Sequence, residues 1–180
     1  MLTEVPATAL DDTLLGDIQT QDGVSLTQLS RSGPVLVVFF RHLGCTFCRE
    51  AFGEIARKRS AILATGTKIV LVHMSPDAEA AALLRTYQID DLPRISDPQR
   101  RLYEAFGLIR GSASQVVGPA VWWQGFKAIF KHGLGMPKGD VRQLPGAFLI
   151  EDGRILRACR NENSAELPDY ESVACPLPTR

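Results

Sequence analysis

Neither sign of charge is in excess in this chain, where 20 basic and 20 acidic side chains cancel. Without a basic surplus there is no electrostatic case for nucleic acid or an anionic membrane surface as a partner. Long hydrophobic runs are also missing, and no stretch approaches the roughly 20 apolar residues that span a bilayer. The opening Met1-Leu2-Thr3-Glu4-Val5-Pro6 has neither a basic start nor an apolar core. No signal peptide is therefore expected, and the expected address is cytoplasmic. Internal repeats and low-complexity tracts are absent. Cysteine is scarce, with four in 180 residues, and in a reducing compartment a disulfide scaffold is not their expected use. Zinc generally takes four ligands, and Cys159 and Cys175 do not form a second closely spaced pair, so no metal site is expected. No cofactor is expected either.

What is present is an ordinary globular composition, 45% hydrophobic and 22% charged. At this length it suits a single domain over residues 1–180 with its own core. One pattern carries chemistry. Cys45-Thr46-Phe47-Cys48 follows the apolar run Val35-Leu36-Val37-Val38-Phe39-Phe40 across Arg41-His42-Leu43-Gly44, and opens a helical pattern. A strand that turns and restarts as a helix puts Cys45 at a helix N-terminus. There unpaired backbone N–H groups and the positive end of the dipole favour a thiolate, the reactive form. The pair reads as a thioredoxin-like redox motif.

Along the chain, Thr3 to Leu14 reads as an arm or short helix, and Asp22-Gly23 centres a small hairpin. Ser25 to Leu29 allows one helical turn before Ser32-Gly33-Pro34. Val35 to Phe40 is apolar at every position, which predicts a central strand covered on both faces. Phe52, Ile55, Ile62 and Leu63 set a helical face that ends near Thr65-Gly66. Lys68 to Met74 gives a second buried strand, with His73 at its carboxyl end. Ser75-Pro76-Asp77 reads as a helix start, and that helix continues through Ala80, Leu83, Leu84 and Tyr87. Strand, helix, strand, helix is a right-handed βαβ unit with a parallel sheet, and the motif lies at the carboxyl end of a central strand. Ile95-Ser96-Asp97 predicts a short strand or turn, and Gln99 to Phe106 a short helix. Ala147–Ile150 and Ile155–Cys159 around Glu151-Asp152-Gly153 predict a hairpin. About residues 111–141 read as a helical insertion. Its Trp122, Trp123, Phe126 and Phe130 are open to three uses: packing on the sheet, roofing a groove, or forming a homodimer surface.

The order strand, CxxC helix, strand, helix, then Leu144-Pro145 before a hairpin, resembles the thioredoxin fold. This predicts an α/β domain with a central mixed sheet flanked by helices. Pro145 matches the cis-proline of that fold. The resemblance implies a cis bond there, beside the sulfurs, with Leu144 and Pro145 as substrate-binding backbone. Phe39-Phe40-Arg41-His42-Leu43-Gly44-Cys45-Thr46-Phe47-Cys48-Arg49-Glu50 is similar to the signature of peroxiredoxin-like (AhpC/TSA-type) redoxins. Their relatives include the peroxiredoxin-like 2, selenoprotein U and prostamide synthase group. Asp97-Pro98 before Arg101-Leu102-Tyr103-Glu104-Ala105-Phe106-Gly107-Leu108 fits the same group. Ordinary peroxiredoxins carry Pro-x-x-x-Thr-x-x-Cys. Aligned on Cys48, the proline becomes Arg41, the threonine Cys45, and the peroxide-activating arginine Pro145. The buried aspartate of thioredoxins is likewise replaced within Val37-Val38.

The resemblance thus implies a dithiol enzyme in which Cys45 attacks an oxidised substrate and Cys48 resolves the intermediate, recharged by thioredoxin or another dithiol electron donor. Two alternatives stay open: a thiol peroxidase with Cys48 as the peroxide-attacking thiolate, and a redox-sensing binding protein. Cys159 reads as a buried small hydrophobe, Cys175 as a candidate accessory thiol, and Arg142 and Gln143 as the groove edge. His73 reads as packing or capping, and His132 has no evident partner.

Overall fold

The computed structural model describes residues 2–41, 43, 46–108, 110, 142–161 and 167–175. The N-terminal stretch is strand β1 (Leu2–Ala9), not an arm or helix. It pairs antiparallel with β6 (Arg154–Arg160) at the edge of the sheet, with a register shift between Glu4 and Thr8. Pro6 lies inside that shift, where a residue with no N–H to give costs no ladder bond. Helix α1 (Asp12–Asp17) is capped by Asp11, whose carboxylate accepts from the Thr13 N–H at 2.9 Å. The Asp22-Gly23 hairpin is reduced to one antiparallel bridge, Gln19 to Ser25. Helix α2 (Leu26–Arg31) then starts from a reciprocal Ser25–Gln28 capping box.

Strand β2 (Val35–Phe39) is buried at every position, as an uninterrupted apolar run requires when both faces are covered. It lies parallel to β3 (Lys68–His73) and antiparallel to β5 (Gly146–Glu151). Between β2 and β3 runs α3 (Thr46–Ala64). Phe52, Ile55 and Ile62 of α3 are buried, but Leu63 is 43% exposed, because one residue is about 100° of helix turn and carries it off the apolar stripe. Helix α4 (Asp77–Arg85) begins later than the Ser75 cap predicts: Pro76 takes the cap position and offers no side-chain bond. Ser75 instead is buried, and its carbonyl accepts from His73 Nδ1 at 3.0 Å and Ser96 Oγ at 2.8 Å. Strand β4 (Arg94–Ser96) adds to β3 in parallel. Helix α5 (Arg101–Ala105) is shorter than predicted, since the Asp97 carboxylate ends the preceding turn by accepting from the Arg101 and Leu102 N–H groups.

The predicted hairpin is β5–β6, turning at Asp152 and Gly153, whose φ values of 48° and 68° suit a tight turn. An antiparallel bridge between Arg110 and Gln143 brings together the two ends of the segment read as an insertion. Residues 111–141, with both tryptophans and His132, lie outside the described residues. Helix α6 (Tyr170–Ala174) closes the chain's described part, capped by Asp169. Cys175 follows it and is exposed.

The result is a six-stranded mixed sheet in the order β1-β6-β5-β2-β3-β4. Alternation along β2 sends Leu36 and Val38 toward α3, α4 and α6, and Val35, Val37 and Phe39 toward α1, α2 and α5. Each fully buried Leu, Val or Phe contributes about 1.5–3 kcal/mol, so a sheet covered on both faces draws on two cores at once. Among the described residues no helix is long and apolar enough to cross a membrane.

Candidate active site

Phe40 follows β2 and is still held to the sheet, its N–H donating to the Val72 carbonyl at 3.0 Å. Its own carbonyl accepts from the Tyr103 hydroxyl at 2.6 Å, and the same hydroxyl reaches the Val72 carbonyl at 3.2 Å. The parallel pair β2–β3 is thereby tied off where the chain leaves the sheet for the motif. Burial, and then the negative charges of Asp97 and Cys48, hold the Tyr103 phenol well above its ordinary range. It is a donor that does not ionise.

Cys48 occupies the first turn of α3, only 4% exposed and packed among Phe40, Ala51 and Phe52 of the core. Being in the first turn of a 19-residue helix places it where the dipole favours negative charge. Beside it opens a small cleft. Apolar walls come from Phe47, Leu167 and Pro168, and polar groups from Arg41, Asn161 and Tyr170. Arg41, expected at the motif, is buried there. The cleft lies at the carboxyl end of β2, the usual site position in an open α/β sheet.

Pro145 lines the same cleft, so residues about a hundred positions apart in sequence, Cys48 and Pro145, meet at one place. The bond before it corrects the expectation: the described residues contain no cis peptide, and Leu144–Pro145 is trans. Trans is the lower-energy form even for proline, and here the Pro145 carbonyl is anchored by the Asn161 N–H at 3.3 Å. Leu144 is buried behind the cleft, its carbonyl accepting from Gln143 Nε2 at 3.2 Å. Gly146 allows the tight passage that follows, since a Cβ there would come within 2.8 Å of Leu108 and 3.1 Å of the Cys159 carbonyl. Gln143, read as groove edge, is buried and also donates to the Leu108 carbonyl, whereas Arg142 is exposed.

Cys45 and His42 lie outside the described residues. Cys159 is buried in β6 opposite Ala147, on the Cys48 side of the sheet, as its strand position predicts. His73 is also buried and does not line the cleft. Burial is the largest influence on it and lowers its pKa to about 4, so the ring is neutral at ordinary pH. Among the described residues no cluster of three or more His, Cys, Asp or Glu side chains is placed to hold a metal.

The residues missed from the sequence are Asn161, Leu167, Pro168 and Tyr170. A signal for the last existed: Asp169 as a cap, with Tyr170, Val173 and Ala174 at helical spacing, marks a short amphipathic helix. Lys58 meets Asp169 and Glu171, the Thr67 hydroxyl donates to the Ala174 carbonyl, and Arg157 donates to the Ser172 carbonyl. These contacts hold α6 against α3 and the sheet.

Comparison with known proteins agrees with this architecture. Residues 54–163 match a family model described as AhpC/TSA antioxidant enzyme. No curated protein matches the sequence. Among solved structures, the bacterioferritin comigratory protein of Xanthomonas campestris is similar with a TM-score of 0.59 at 16% identity, over 86% of this chain and 87% of that one. The peroxidoxin BcpB of Mycobacterium tuberculosis gives 0.59 at 18% identity, over 96% and 92%. A mutant of PrxQ from Xylella fastidiosa gives 0.56 at 15%, over 94% and 92%. At such identities the likeness is one of fold.

Proposed function

The chain belongs to the AhpC/TSA antioxidant enzyme family, and on that premise we propose that it is a thiol-disulfide oxidoreductase working through Cys45 and Cys48. Cys45 attacks a substrate disulfide, forming a mixed disulfide and releasing one thiolate. Cys48 then attacks the Cys45 sulfur, releasing the second substrate thiolate and leaving a Cys45–Cys48 disulfide. Thioredoxin or another dithiol donor restores the pair. The observation that carries this reading is the burial of Cys48 at the base of a cleft shared with Pro145. A recessed sulfur suits the resolving role, and the cleft gives a substrate somewhere to sit. The family relationship supports thiol chemistry in general, and the Phe39–Glu50 signature supports placement with the peroxiredoxin-like 2 and selenoprotein U group. A cytoplasmic, thiol-reducing setting is part of the same proposal.

A second reading has its own support: Arg41 is buried and lines the cleft with Cys48, and a guanidinium there favours an attacking thiolate. In it, Cys48 attacks a peroxide, becomes a sulfenic acid as the alkoxide or hydroxide leaves, and condenses with Cys45 to release water. The relative from Xanthomonas campestris is described by its alkyl peroxide reduction activity. Single mutants separate the two. Cys48→Ser trapping a mixed disulfide through Cys45 supports the dithiol reading. Sulfenic acid on Cys48 in Cys45→Ser, with no mixed disulfide trapped by Cys48→Ser, replaces it with the peroxidase.

A further inference from the structure

One side chain in the cleft has no role in either scheme. Tyr170 is 2% exposed, sits on the core face with Cys48 and Cys159, and lines the cleft across from α3. Among the described residues its hydroxyl has no hydrogen-bond partner, and it is not one of the fully enclosed, unpartnered polar atoms there. A buried phenol normally finds a partner for its O–H. Tyr170 borders the cleft, so a molecule that enters it comes beside this side chain.

Charge supports the assignment. Burial first, and then the negative charges of Cys48, Cys159 and Glu54, drive the Tyr170 phenol far above its ordinary range. The group therefore stays protonated at any pH at which a thiol reacts, and offers a hydrogen bond without ever becoming a competing anion. Cys159 shares this neighbourhood, but among the cysteines in it Cys48 is the one that lines the cleft.

We propose that Tyr170 is a catalytic hydrogen-bond donor to the atom that departs as an anion when the Cys48 sulfur forms its new bond. With a hydroperoxide, the S–O bond forms as the O–O bond breaks, sulfur is oxidised by two electrons, and the alkoxide leaves with the electron pair. Tyr170 donates to that oxygen, which then takes its proton from solvent. With a mixed disulfide the departing atom is a thiolate sulfur held in the same way. The inference rests on the reading of Cys48 as a reacting thiol. A donor aimed at developing charge in a recessed site is worth on the order of 10–1,000-fold in rate.

The test compares two reagents on the full-length protein and its Tyr170→Phe variant, reading Cys48 specifically by mass spectrometry. One reagent is tert-butyl hydroperoxide, whose leaving alkoxide needs a donor. The other is iodoacetamide, whose leaving iodide does not. The expected result is oxidation of Cys48 slowed at least tenfold in Tyr170→Phe, with alkylation within twofold of the parent. Site-specific 3-fluorotyrosine at position 170, a stronger donor of nearly the same shape, is expected to leave oxidation at or above the parent rate. Equal slowing of both reagents, or of neither, overturns the proposal, because it assigns Tyr170 to packing or to the thiolate itself. Should the parent Cys48 react with neither hydroperoxide nor a small aromatic disulfide, the functional reading fails instead, and the two failures are distinct.

Discussion

Phe39 and Phe40 are adjacent in the chain and serve opposite faces of the sheet. On the Phe39 face, Tyr103, Phe106 and Phe148 surround the ring at centroid distances of 5.0, 4.9 and 5.6 Å, mostly edge to face. Arg160 covers Phe148 at 5.1 Å and donates to the Phe106 carbonyl. On the Phe40 face, Phe52 packs at 4.7 Å, but beside them the packing stops short and the Cys48 cleft begins. The difference assigns two tasks. The aromatic face packs closely around the carboxyl end of β2, and the other face holds a sulfur beside an opening.

Three experiments break or sharpen this contrast. The largest effect is expected from Phe106→Ala, which empties the centre of the aromatic face. Truncating a buried Phe costs about 3–5 kcal/mol, and urea unfolding should show it, while Cys48 in the folded fraction keeps its alkylation rate. A loss below about 1 kcal/mol would mean that the aromatic face is not the tightly packed one. The next is acid titration of stability. His73, on the cleft side of the sheet, has its pKa lowered from 6.5 to about 4 by burial. Between those values the unfolded chain binds a proton that the folded protein refuses, so stability falls as pH drops through that window. From pH 7 to pH 5 this amounts to roughly 2 kcal/mol, measured by denaturant midpoints, and His73→Gln should flatten that slope. A slope unchanged in the variant assigns acid sensitivity elsewhere.

Smallest is Tyr103→Phe. This side chain belongs to the aromatic face, yet its hydroxyl reaches the carbonyls of Phe40 and Val72 at the end of the two central strands. Leaving that buried carbonyl unsatisfied costs about 1–2 kcal/mol. If the two faces act together, Cys48 alkylation also changes, whereas full independence predicts a stability loss with the rate intact. Hydrogen exchange at the end of β2 would locate the loosening.

Much of this was legible before any coordinates. The apolar run at 35–40 and the largely apolar run at 68–74 read as strands buried on both faces, and both are; the helix that opens after the first carries Cys48 at that strand's carboxyl end. Parallel pairing followed from the crossover helix between them. The N-terminal strand was not legible. Its pairing with β6 is a contact between the two ends of the chain, and local pattern carries no information about so distant a partner. The start of α4 differs from its local pattern for a related reason. Ser75 has the right chemistry to cap, but its carbonyl is claimed by His73 and Ser96 from the sheet.

The residues themselves determined the fold class and the place of Cys48 at the end of the central strand, because hydrophobic period and the start of a helix are local properties. Tertiary structure alone decided that Pro145 is trans, that Arg41 turns inward beside Cys48, and that Tyr170 from the far end of the chain closes the cleft. Those outcomes depend on which distant surfaces fill the same space, and close packing, not local sequence, sets that choice.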